Sequence, residues 1–203
     1  MITIIDYGMG NLGSIQNMFK KLKIESLTTS DLNEVQKAKK LLLPGVGAFD
    51  SAMQRIHASG LKAVLDRKVI VDKTPILGIC LGMQLLINSS EEGIMEGLGW
   101  IPGKASRFLF PTGESLKIPH MGWNYVHEVR SSPLTAHLPD ASRFYFVHSF
   151  YVKVIDPRHV VMRTHYGVDF DSVIQLDNIY GAQFHPEKSH KFGMRLLDNF
   201  AAL

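Results

Sequence analysis

Thr74-Pro75-Ile76-Leu77-Gly78-Ile79-Cys80-Leu81-Gly82-Met83-Gln84 is the stretch on which the fold turns. The apolar run Ile76 to Ile79 reads as a short buried strand. Met83, Gln84, Leu85, Leu86 and Ile87 read as a helix, which leaves Cys80 at the join. Gly78 and Gly82 flank it symmetrically, as expected where a turn is too tight for side chains and backbone torsions turn positive. A thiol there faces the unpaired N–H groups and partial positive charge of a helix N-terminus, which favour a thiolate and can hold an oxyanion. A lone cysteine can equally be a small buried hydrophobe. The choice depends on what the rest of the chain brings to the same place.

Upstream, Leu41, Leu42 and Leu43 form a strand running into Pro44-Gly45-Val46-Gly47-Ala48-Phe49. This glycine-rich loop is either plain turn chemistry or a mobile loop whose N–H groups face developing negative charge. Helical spacing follows through Phe49, Met53 and Ile56, breaks at Gly60, and resumes through Leu61, Val64 and Leu65. Further back lie a strand at Ile2, Ile4 and Ile5, a helix with Ile15, Met18, Phe19 and Leu22 on one face, a strand from Ile24 to Thr29, and a helix at Leu32 and Val35. Alternating strands and helices predict a doubly wound, mostly parallel α/β sheet with flanking helices. Its active site is expected beyond the carboxyl ends of the strands.

Gly8-Met9-Gly10-Asn11-Leu12-Gly13 fits G-x-G-x-x-G, and Asp31 stands where a ribose-binding acid would. A nucleotide-binding α/β module is therefore a rival reading. Against it, Asp6 and Tyr7 separate the apolar run from the first glycine, and Asp31 serves equally as a helix N-cap.

From Gly93 the alternation gives way to short β-like pieces at 107–110, 125–129, 144–154, 160–164, 172–176 and 179–184. They predict a mixed or antiparallel β extension. A helix carrying Phe192, Leu196, Phe200 and Leu203 closes the chain. Pro119-His120-Met121-Gly122-Trp123-Asn124 reads as a loop in which Trp123 is either core or an interface anchor. Gln183-Phe184-His185-Pro186-Glu187 ends a strand. Residues i and i+2 of an extended segment point the same way, so Glu187 can hold the imidazole of His185 while its other nitrogen faces a thiol.

The 203 residues suffice for one core, and we expect one domain over 1–203. A net charge of +3, dispersed along the chain, argues against nucleic acid. No apolar run approaches a membrane span, no basic leader precedes the first strand, and a single cysteine suits a reducing cytoplasm. One cysteine with scattered histidines lacks the spacing of a zinc site, so neither metal nor cofactor is expected.

Two separated motifs, Gly78 to Gln84 and Gln183 to Glu187, resemble those of the class I (triad) glutamine amidotransferases. Asp6 to Leu12, Pro44 to Gly47, Pro119 to Asn124 and His148-Ser149-Phe150-Tyr151 extend the likeness over essentially the whole chain. They narrow it to the glutaminase subunits of imidazole glycerol phosphate synthases. The resemblance implies a flavodoxin-like glutaminase fold in which Cys80, His185 and Glu187 are catalytic. It further implies an oxyanion hole from Leu81 and the Val46-Gly47 peptide, and glutamine contacts from Gln84, Glu92, Ser149 and Phe150, the last being tyrosine in many members. Asn11, Trp123 and Lys188 would face a (β/α)8-barrel partner in a heterodimer of histidine biosynthesis, and Gly8 to Gly13 would lie near that partner. Two rivals share the triad: the same glutaminase serving a paralogous synthase that amidates a sugar, and a cysteine hydrolase of peptides or esters. A glutaminase without its liganded partner is expected to be nearly inactive, because a Gly-Val-Gly peptide can turn its carbonyl toward the oxyanion at low steric cost.

Overall fold

The computed structural model describes residues 1–110 and 116–203. The predicted alternation is present as β1 (Ile2–Ile5), α1 (Leu12–Lys21), β2 (Ser26–Thr29), α2 (Leu32–Lys37), β3 (Leu41–Gly45), α3 (Phe49–Ala58), α4 (Leu61–Asp66), β4 (Ile76–Cys80) and α5 (Leu81–Leu85). The break at Gly60 divides α3 from α4 because its backbone is left-handed, with φ +75°, which glycine adopts without a Cβ penalty. Strands β1, β3 and β4 are buried along their whole length, as expected when helices cover both faces.

The second half adds β5 (Ser89–Ser90), β6 (Gly103–Arg107), β7 (His120–Tyr125), β8 (His127–Glu128), β9 (Arg143–His148), β10 (Phe150–Val154), β11 (Val160–Tyr166), β12 (Val168–Leu176), β13 (Ile179–Ala182) and α6 (His190–Ala202). An eight-stranded sheet in the order β2-β1-β3-β4-β13-β12-β11-β8 runs through the molecule. It is parallel from β2 to β13 and antiparallel from there to β8. The mixed sheet and flanking helices match the expected fold class. Core side chains from α3, α4 and α5 gather on one face, and those from α1 and α6 on the other.

Three local expectations are corrected. The strand placed at 107–110 lies earlier, at Gly103–Arg107, in register with β10. The piece read as one strand at 144–154 is two, because the chain turns at Ser149 and leaves the two-stranded sheet β7-β9 for the sheet β10-β6-β5. The segment read as a loop at Pro119 to Asn124 is mostly strand β7, paired with β9. Its alternation is inverted: His120 is buried, whereas Met121, Trp123 and Tyr125 are exposed. A reading that seeks apolar residues inside and polar residues outside misses such a strand.

Candidate active site

Strand β4 delivers Cys80 to the sheet's carboxyl edge, and α5 begins at the next residue. The cysteine itself takes the left-handed torsion, φ +55° and ψ −109°. The two glycines are needed for space instead. A methyl group on Gly82 would run into the Leu43 carbonyl oxygen, and one on Gly78 would sit 2.6 Å from the carbonyl oxygen of Gly82. The turn is the tight one expected, with the positive torsion on the cysteine. The strain falls on the reactive residue, as in a nucleophile elbow, and tight neighbours hold it there.

Across the sheet, β13 is the parallel neighbour of β4, with Ala182 opposite Ile79. The chain leaving β13 therefore carries His185 to the Cys80 elbow. The His185 backbone is fixed by its N–H, donated to the Tyr145 carbonyl at 2.9 Å, and by its carbonyl, which accepts from Ser189 Oγ at 2.6 Å. Ser189 Oγ in turn accepts from the Tyr145 N–H at 3.0 Å. Glu187 meets His185 Nδ1 at 2.7 Å through Oε1. It does so from a 3-10 turn, Pro186–Lys188, and not from an extended segment. The side chains of His185 and Glu187 are both almost wholly buried.

His185 Nε2 has no hydrogen-bond partner among the described residues, and the Cys80 sulfur is the group poised to receive it. Burial alone would pull the imidazole pKa down. Cys80 first and Glu187 second outweigh burial and raise it from 6.5 to about 10. At 3.9 Å the thiol also meets the Val147 carbonyl and the Gln183 amide.

A cleft of about 370 Å³ opens over these groups, lined by Val46, Gly47, Cys80, Leu81, Gln84, Glu92, Ser149, Phe150 and His185, with Lys188 at the same mouth. Gln84 is buried, and its Nε2 donates to the Phe150 carbonyl at 3.0 Å and to Gln183 Oε1 at 3.3 Å. Glu92 Oε2 accepts the Phe49 N–H at 2.9 Å. Burial raises the Glu92 carboxyl pKa, a shift that the Phe49 N–H opposes. The Ser149 carbonyl accepts the Phe108 N–H at 3.1 Å, which fixes the turn between β9 and β10. Val46 is exposed, and Gly47 has φ +114° with the Met9 methyl against its α-carbon. Tyr7, which sequence reasoning passed over, donates its hydroxyl to the Pro44 carbonyl at 2.7 Å. Burial raises its pKa, with the Cys80 charge adding to the effect.

The three residues expected at a partner interface have separate local roles. Asn11 caps α1 by accepting the Ser14 N–H. Trp123, 41 % exposed, stacks on His190 and lies under the Arg143 guanidinium. Lys188 sits over the Tyr145 ring, whose edge also meets Trp123, so these two share one patch beside the cleft. The glycine run at 8–13 is not arranged as a phosphate cradle. Gly8 gives its N–H to Asp6 Oδ1, Gly13 lies inside α1, and Asp31 caps α2 through Asn33. No helix among the described residues is long and apolar enough to cross a membrane.

The family model described as glutamine amidotransferase class-I matches residues 3–202. The chain is 54% identical over 200 residues to imidazole glycerol phosphate synthase subunit HisH 2 of Methanococcus maripaludis, covering 98% of each chain. It is 47% identical over 204 residues to subunit HisH of the same synthase from Bdellovibrio bacteriovorus, covering both chains completely. Among solved structures, a crystal structure of glutamine amidotransferase superposes with a TM-score of 0.74 at 17% identity over the whole of both chains, a likeness of fold.

Proposed function

The chain belongs to the glutamine amidotransferase class-I family, and on that premise we propose that it is the glutaminase subunit of an imidazole glycerol phosphate synthase, a single domain over its whole length. Cys80 gives its proton to His185 Nε2 and attacks the side-chain amide carbon of glutamine. The new C–S bond gives a tetrahedral intermediate whose oxyanion lies toward the Leu81 N–H and the Val46-Gly47 peptide. As the C–N bond breaks, His185 returns a proton to the leaving nitrogen and ammonia departs. Water, deprotonated by the same imidazole, then opens the γ-glutamyl thioester to glutamate and restores the thiol.

Glu187 holds His185 in one tautomer and stabilises the imidazolium. Losing one oxyanion donor costs roughly a hundredfold or more in rate. Glu92, Ser149 and Phe150 would take the amino-acid end of the substrate, with Gln84 bracing Phe150. The brace from Gln84 uses the Phe150 carbonyl, so that tie does not depend on the side chain at this position. The relatives' names speak of a synthase subunit, which supplies a partner of this one. We read that partner as a (β/α)8 barrel in the cytoplasm, docking on Asn11, Trp123 and Lys188. It would receive the ammonia for a step of histidine biosynthesis that releases imidazole glycerol phosphate and aminoimidazole carboxamide ribotide.

The observation that carries this reading is the His185 ring. One nitrogen is bound to a buried carboxylate, the other has no partner among the described residues, and the sole cysteine stands on the strained turn before it. A glutamine-mimicking chloroketone or diazo-ketone should label Cys80 and no other residue, as read by peptide mass spectrometry. The liganded partner should accelerate labelling. Equal glutamine hydrolysis with and without that partner would rule out the expected dormant loop at 44–47, and failure to label Cys80 would rule out the glutaminase.

A further inference from the structure

Behind the cleft wall, four polar groups form a chain with a fixed direction. His148 Nδ1 lies 2.8 Å from the Phe150 carbonyl, which can only accept, so Nδ1 carries the proton and Nε2 of the neutral ring accepts. His120 Nδ1 is 3.1 Å from that Nε2 and therefore donates to it. This leaves His120 Nε2 to accept from the Asn124 amide at 3.2 Å, while the same amide nitrogen donates to the His165 carbonyl at 2.9 Å. The two ends thus dictate both tautomers. A proton added to either ring would set two N–H groups against each other. Burial, the main cause, holds His120 near 4 and His148 near 3 in pKa, in keeping with two neutral rings. The His120 ring is also clamped between Phe146 and Tyr166, with centroids at 4.8 and 3.9 Å.

The chain connects two surfaces. At one end the Phe150 carbonyl receives both His148 and Gln84, so two ties meet on the corner 147–150 that borders the cleft. At the other end His120 and Asn124 belong to β7, whose opposite side exposes Met121, Trp123 and Tyr125. We propose that His120 and His148 are positioning residues of the glutamine site, a hydrogen-bonded pair that ties the partner-facing strand β7 to the backbone corner against which the substrate lies. The proposal rests on the glutaminase reading and assigns no chemical step to either ring. Displacing β7 moves the acceptor chain, and the corner follows.

The test is steady-state glutamine hydrolysis by the complex with its barrel subunit. His120→Phe keeps the aromatic stack and removes both ring nitrogens, leaving His148 Nε2 a buried acceptor without a donor. The KM for glutamine should rise about fivefold or more, with kcat changed by less than about twofold. His120→Asn places an amide N–H where Nδ1 was and should bring KM back to within about twofold of the parent. If His120→Phe does not fold, Asn124→Leu takes its place: it leaves His120 Nε2 a buried acceptor without its donor and should raise KM by about two- to fivefold. An unchanged KM, or the same KM and the same drop in melting temperature in the Phe and Asn variants, reduces the pair to packing and overturns the proposal. A parent complex that hydrolyses no glutamine overturns the glutaminase reading instead, so the two failures are told apart.

Discussion

His185 and His148 border the same cleft and are hidden from solvent to nearly the same degree, at 2 % and 6 % exposed. Yet their pKa values move in opposite directions, to about 10 and about 3. Burial disfavours charge on both. His185 escapes because its neighbours are a thiol that can become an anion and a carboxylate that already is one. His148 faces a carbonyl, which offsets burial only in part, and a second imidazole, which opposes a positive charge. The partner's chemistry, and not depth, separates an imidazole built to move protons from one built to hold a shape.

The strongest way to break this contrast is Glu187→Gln, which takes the anion from His185 while keeping the side chain's size. Glutamine hydrolysis by the complex should fall by about a thousandfold or more, since the imidazolium loses its support and its tautomer is no longer dictated. Kinetics of the purified complex would check this, and activity within tenfold of the parent would end the assignment of Glu187.

Stability against pH sharpens the contrast, because the two sites bend the curve from opposite ends. His120 and His148 stay neutral in the fold while the unfolded chain protonates below about 6.5. Their contribution is therefore whole above pH 6.5 and lost as pH falls, toward 4 for His120 and toward 3 for His148, at up to about 1.4 kcal/mol per pH unit for each ring. His120→Phe removes one of the two and should flatten this acid arm. For His185 the sign reverses: its contribution is whole below about pH 6.5 and lost as pH rises through 10. Urea titrations of the single chain at a series of pH values would show both arms. An acid arm unaffected by His120→Phe would contradict the neutral pair.

The smallest effect is expected outside both sites. Asp31→Ala removes the cap of α2 and should cost about 1 kcal/mol of stability with glutamine turnover unchanged. Chemical denaturation together with turnover would check it. A loss of activity larger than the loss of stability would revive a ligand role for that carboxylate.

The local signals that could be read without coordinates were those written in short range. Alternating apolar runs marked β1 to α5, and the Gly60 break and the Asp31 cap are each visible within a few residues. The Cys80 turn was legible because the glycines on either side of it mark a junction with no room for side chains, as the close packing of strand and helix there requires. Strand β7 escaped because its polar residues face inward. Its place depends on β9, more than twenty residues later in the chain, and its inner face is satisfied by His148 and His165. Likewise the brace of Tyr145 and Ser189 on His185, and the Tyr7 hydroxyl on Pro44, join residues with no shared motif.

Taken alone, the sequence determined the alternating sheet, the sole thiol at a strand-to-helix turn, and a histidine two positions from a carboxylate, since torsional preference and hydrophobic period act over a few neighbours. Only the tertiary structure decided that β13 lies beside β4 and brings His185 to Cys80, that the cysteine carries the strained torsion, and that two distant histidines form one neutral chain. Strand order and side-chain tautomers follow from groups far apart in the chain that must share one core and leave few buried polar atoms unpaired.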